Sequence, residues 1–124
     1  DQEQSVMSDQ TTLGRIRVSP RAIATIAAGA VLTSYGVVGM AAGTWRDGIA
    51  EILNLENVHR GVEVQVVDGQ VVIDLYVVIE YGTRISAVAH NMMESVKFSV
   101  EQALAMPVKE VNVHVQGVRV SNDD

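Results

Sequence analysis

Gly61 to Gly82, GVEVQVVDGQVVIDLYVVIEYG, is the stretch from which the fold can be read. Asp68-Gly69 at its centre is a strong β-hairpin signal, because a two-residue type I′ turn needs positive φ at both central positions. A two-residue loop there sets Val67 opposite Gln70, Val66 opposite Val71, Val64 opposite Ile73 and Val62 opposite Leu75. Side chains alternate along a strand, so the last three pairs build one apolar face. Gln65, Glu63 and Asp74 fall on the other face. A turn shifted by one residue would break that agreement, so turn chemistry and patterning specify the same register.

On the C-terminal side of the hairpin, the spacing predicts a long helix over 84–105. Ile85, Val88, Ala89, Met92, Val96, Val100, Ala103 and Leu104 form a continuous stripe of period 3.6. Thr83 is its expected N-cap, and Pro107 stops it by forcing the preceding residue out of the α region. The last strand, Val111 to Val120, changes parity midway: Val111, Val113 and Val115 share one side, Val118 and Val120 the other. A β-bulge at Gln116-Gly117 would return both sets to the core face.

On the N-terminal side, Leu13 to Val18 alternates apolar and basic residues and reads as a short strand. Ser19-Pro20 then opens a helix over 20–34. The serine can accept from an unpaired amide, and proline at the first helical position loses a donor that had no partner. Gly36 to Gly43 reads as an irregular strand whose glycines permit close approach, and a short helix is expected near 46–55. Residues 1–12 hold little to bury and are expected to be mobile. Met7 is a candidate natural start, which would make residues 1–6 an addition, and 121–124 is expected to fray. The expectation is an α+β fold: a single domain over 13–120, its mostly antiparallel sheet centred on the hairpin 61–82, with both long helices on one face.

The chain has 124 residues, 48% hydrophobic and 19% charged, which suits one globular domain. With no cysteine, disulfides, thiolate metal sites and thiol nucleophiles are excluded. A net charge of −6 argues against a nucleic-acid partner, since phosphate binding needs clustered Lys and Arg. The string Gly36-Val37-Val38-Gly39 matches the GxxG loop of KH nucleic-acid binders, but its middle is apolar where such loops offer basic residues. Tyr81-Gly82-Thr83-Arg84 could present amides to an anion; a tight turn with a helix cap explains it more simply. No G-x-S-x-G elbow is present, so the chain is expected not to be an enzyme, and no cofactor is expected.

The histidines, His59, His90 and His114, lack metal-ligand spacing. The one constellation worth locating is Glu63, Asp74 and His114. Glu63 and Asp74 oppose each other on the polar face of the hairpin, and His114 would join them if the last strand pairs nearby. Such a set could hold a metal, or raise a carboxylate pKa through like charge; the alternative is a solvated sheet face. Tyr35, Met40, Trp45, Tyr76 and Arg84 are the candidate contact residues, since Trp, Tyr and Arg are enriched at interface hot spots.

Several segments together carry a resemblance: GRIRVSP (14–20), YGVVGMA (35–41), DGIAEIL (47–53), RGVEV (60–64), IDLYVVIEYGT (73–83), VAHN (88–91) and VNVHVQGVRV (111–120). In this order the chain resembles the bacterial alkaline-shock-protein family, also called the general-stress protein family, especially its short single-domain members from Gram-positive bacteria. The resemblance implies a small cytoplasmic α+β protein without catalytic motif, linked to stress response and cell-envelope homeostasis. It implies protein partners or self-association as a homo-oligomer, with membrane association only through an anchored partner. The alternative it carries is an accessory subunit beside a dihydroxyacetone-kinase-like protein of the fatty-acid-kinase type.

Overall fold

The computed structural model describes residues 7–10, 12–42 and 51–120. Its elements in order are β1 (Met7–Gln10), β2 (Arg15–Val18), α1 (Pro20–Leu32), β3 (Val37–Met40), a 3₁₀ helix (Leu55–Gly61), β4 (Val62–Val67), β5 (Gln70–Glu80), α2 (Ile85–Leu104) and β6 (Val108–Arg119). The fold is α+β. β4 and β5 pair in the register that the turn dictates, Val67 on Gln70 through Val62 on Leu75. Asp68 and Gly69 both have positive φ, 53° and 76°, as a type I′ turn requires.

β5 is the centre of the sheet. Its first half pairs antiparallel with β4, and its second half with β3, where Met40 faces Val77 and Val37 faces Ile79. β6 runs parallel along it from Val71–Val108 to Glu80–Arg119. A strand has two hydrogen-bonding edges, so β4 and β3 share one edge end to end and β6 takes the other. The parallel pairing follows from α2. A helix of 20 residues spans roughly 30 Å, close to the ~36 Å of an 11-residue strand. The helix therefore carries the chain back to where β5 began, which is the crossover that parallel strands need.

The core lies between the sheet and both helices. Val71, Ile73, Leu75, Val77 and Ile79 of β5 are completely buried beneath α1 and α2. α1 contributes Ile23, Ala24, Ala27, Ala28, Ala30 and Val31, and its small side chains let α2 approach closely. Its start is as expected: Ser19 Oγ accepts from the Ala22 amide at 3.1 Å. α2 buries Val88, Met92, Val96 and Val100, one residue per turn. Ile85 and Ala103, expected in that stripe, are exposed because they flank its two ends. Thr83 is not the N-cap. Its hydroxyl instead donates to Glu80 O at 2.7 Å, and Arg84 takes the cap position without a side-chain bond.

Other departures have clear local causes. Met7–Gln10 was expected to be mobile but forms a strand, pairing with β2 from Met7–Val18 to Gln10–Arg15. Of the helix expected near 46–55, the described part over 51–54 is not helical. There Ile52 bridges to Ala41 and the Leu53 amide donates to Met40 O at 2.8 Å, so this segment satisfies its backbone against β3. The rest of that expected helix, with Trp45, lies outside the described residues, as do 1–6 and 121–124. The bulge in β6 is present: Val115 faces Val77 and Gly117 faces Val78, leaving Gln116 extra. A second shift, unforeseen, leaves Lys109 extra between Val108 and Glu110.

Candidate functional site

The sheet has a second face, away from the helices. Alternation brings Asp74 and Tyr76 of β5 to it, with Glu63 of β4 and His114 of β6. The registers set Glu63 opposite Asp74, and Tyr76 opposite His114. Directly opposed residues have Cβ atoms about 4.5–5.5 Å apart, and long side chains also reach the diagonal neighbour. Both kinds of contact occur here. Tyr76 and His114 stack with ring centroids 4.6 Å apart and planes 13° from parallel. Diagonally, the Tyr76 hydroxyl donates to Glu63 Oε1 at 3.1 Å, and His114 Nε2 lies 3.0 Å from Asp74 Oδ1. A carboxylate only accepts, so the histidine carries the proton of that bond on Nε2.

The sequence expectation that His114 would join the hairpin carboxylates is met for Asp74. Glu63 is turned to Tyr76 instead, and among the described residues no group of three His, Asp or Glu side chains converges to hold a metal ion. Burial raises the Tyr76 pKa above the usual phenol value. The bond to Glu63 adds to this, as do the negative charges of Glu63 and Asp74. The phenol therefore stays protonated as a hydrogen-bond donor and is poorly suited to act as a base or nucleophile near neutral pH. What the patch offers is an aromatic plate flanked by carboxylates, its polar groups bonded to one another and half-open to solvent.

The remaining candidate contact residues separate. Met40 is fully buried against Gly61 and cannot touch a partner, which corrects its assignment to the surface. Tyr35, 80% exposed, and exposed Arg84 sit at one end of the sheet, brought together by the Glu80 amide donating to Gly36 O at 2.8 Å. Tyr81 and Ile85 are exposed at the same end and were missed, since alternation and helical period assign them to a strand end and a core stripe. Trp45 lies outside the described residues. His90 pairs only with Glu94 on the outside of α2, at 3.3 Å.

Of the GxxG string, Val37–Gly39 lie in the paired strand β3 and Gly36 in the turn before it, so the string is not a loop between helices. Its glycines are there for packing. A Cβ on Gly36 would lie 2.7 Å from Val88 Cγ2, and its φ of +85° itself favours glycine. One on Gly39 would lie 2.6 Å from Ile52 Cγ2. This removes the structural basis of the KH-like reading.

Residues 8–120 match the ASP23 family, described as having a cell-envelope-related function. Among curated proteins, YloU of Bacillus subtilis is 46% identical over 114 residues, which cover 91% of this chain and 95% of that one. Spy1614 of Streptococcus pyogenes is 38% identical over 112 residues, 90% of this chain and 93% of its own. YqhY of B. subtilis is 29% identical over 111 residues, 90% of this chain and 82% of its own. All three are named as uncharacterized. No solved structure matches.

Proposed function

The chain belongs to the ASP23 (alkaline-shock-protein) family, and on that premise we propose that it is a non-enzymatic interaction protein serving cell-envelope or stress homeostasis. It works through protein partners or by self-association, from the cytoplasm, and meets the membrane only through a partner. The observation that carries this reading is the open sheet face. Its ionisable groups are occupied with each other, Tyr76 with Glu63 and His114 with Asp74, rather than converging on a space where a reacting atom could sit. Among the described residues no helix is long and apolar enough to cross a membrane.

The test is affinity purification, from the cells in which the chain occurs naturally, of the tagged chain and of a Glu63→Lys/Asp74→Lys variant, with partners identified by mass spectrometry. The expected result is a discrete partner held by the native face and lost from a folded variant. Equal recovery with both baits would remove the open face from the reading. A monomer that retains nothing would overturn the reading as a whole. A kinase-type protein among the partners would select the accessory-subunit alternative.

A further inference from the structure

β6 has β5 on one side and, among the described residues, no strand on the other. It is 12 residues long, so a long row of backbone donors and acceptors faces outward. Proteins usually blunt such edges with short strands, prolines, bulges or charged side chains; β6 has bulges at Lys109 and Gln116, and between them the run Glu110–Val115 is regular. β6 contains no proline, and its helix-side positions Val111, Val113, Val115 and Val118 are all valine. Val115 and Val118 remain 37% and 45% exposed on the side that should be core. The opposite edge differs: β4 has 6 residues, and its helix-side valines Val62, Val64 and Val66 are buried or half-buried.

From this edge we infer that β6 is where two copies of the chain associate, antiparallel, about a two-fold axis at His114. The inference rests on the self-association half of the proposed function and gives it a surface. Opposed residues in an antiparallel pair point to the same face. A simple antiparallel register fails that condition, because the bulge at Gln116 reverses parity within β6. The condition is met if each copy's Gln116 is passed over. Val113 then opposes the second copy's Val115, Asn112 its Gly117, Val111 its Val118, and Glu110 its Arg119. Valine meets valine on the helix side, and opposite charges meet on the open side. Self-complementarity of this kind is what an isologous two-fold interface demands, and it points to a second copy rather than an unrelated peptide. Gln116, passed over in this register, and Arg119 each also have an interaction within their own chain.

The absence of native cysteine makes the test direct. His114→Cys places one thiol at the two-fold axis, where opposed Cβ atoms lie about 4.5–5.5 Å apart, near the range a disulfide spans. Glu63→Cys, on the same face but on β4, is the control. Light scattering of the unaltered chain should give a dimer or a larger even-numbered assembly. Under mild oxidation the His114→Cys protein should form covalent dimer at least tenfold faster than the control. Val115→Lys, at an exposed position, should remain folded by circular dichroism and shift the assembly toward monomer. An oligomer whose His114→Cys form links no faster than the control, or which Val115→Lys leaves intact, overturns the β6 interface while self-association stands. A strict monomer overturns both.

Discussion

On the helix side of β5, Ile73, Leu75, Val77 and Ile79 are fully buried; on its open side, Asp74 and Tyr76 keep part of their surface and bond sideways to His114 and Glu63. Both sets come from one strand by alternation alone. The buried set stabilises through area removed from water, at about 25 cal/mol per Å² of apolar surface, and through packing that tolerates no voids. The open set is made of polar bonds that water could replace, so it contributes little to stability and is free to serve recognition. A face that can be altered without unfolding the protein is the face on which a function can be tested.

The largest break in this comparison should come from Leu75→Ala, which hollows the buried side and is expected to cost about 2–5 kcal/mol in urea unfolding. Gly36→Ala comes next. It drives a methyl into Val88 at a residue whose φ is +85°, and an overpacked, strained site should lose roughly 1–3 kcal/mol. On the open side, Tyr76→Phe should cost only about 0.5–1.5 kcal/mol, the range of one hydrogen bond. Asp74→Asn should move the melting temperature least, since an exposed pair of this kind is worth about 0–1 kcal/mol. If Asp74→Asn were as damaging as Leu75→Ala, the contrast between the faces would be wrong.

Titration sharpens the same contrast. The folded chain holds the Tyr76 proton more tightly than the unfolded chain does. Its contribution to stability is therefore fully present below the ordinary phenol pKa of about 10 and is lost as pH rises through the elevated folded value. Ultraviolet titration of the phenols should show one tyrosine ionising late. Glu63→Gln, which removes the acceptor's charge, should bring that tyrosine back toward the ordinary value. A late phase unchanged by Glu63→Gln would mean that burial, with the charge of Asp74, is responsible.

Where structure depends on neighbours in the chain, it could be read directly. Asp68-Gly69 specifies the hairpin register, Ser19-Pro20 the start of α1, and the parity change between Val115 and Val118 the bulge at Gln116. Where a residue's environment depends on a distant segment, pattern was misleading. Met40 looked like a surface methionine in a glycine-rich stretch, yet Gly61 and the bridge between Ala41 and Ile52 enclose it. Met7–Gln10 looked too polar to order, but its backbone found β2. Of the open-face site, the opposition of Glu63 and Asp74 was legible. The Tyr76–His114 stack was not, because it depends on which strand takes the other edge of β5 and in which direction.

Alternation and turn chemistry are properties of adjacent residues, and they were enough to set Asp74 and Tyr76 on the side of β5 opposite its continuous apolar face, a side on which Val72 and Val78 are also buried. The partners of the polar side were a different matter. α2 is about as long as β5, so it returned β6 parallel to it and laid His114 against Tyr76. The same crossover left β6 at the edge with its valines half uncovered. That placement results from the sheet, helix and strand closing together, and only the folded chain expresses it.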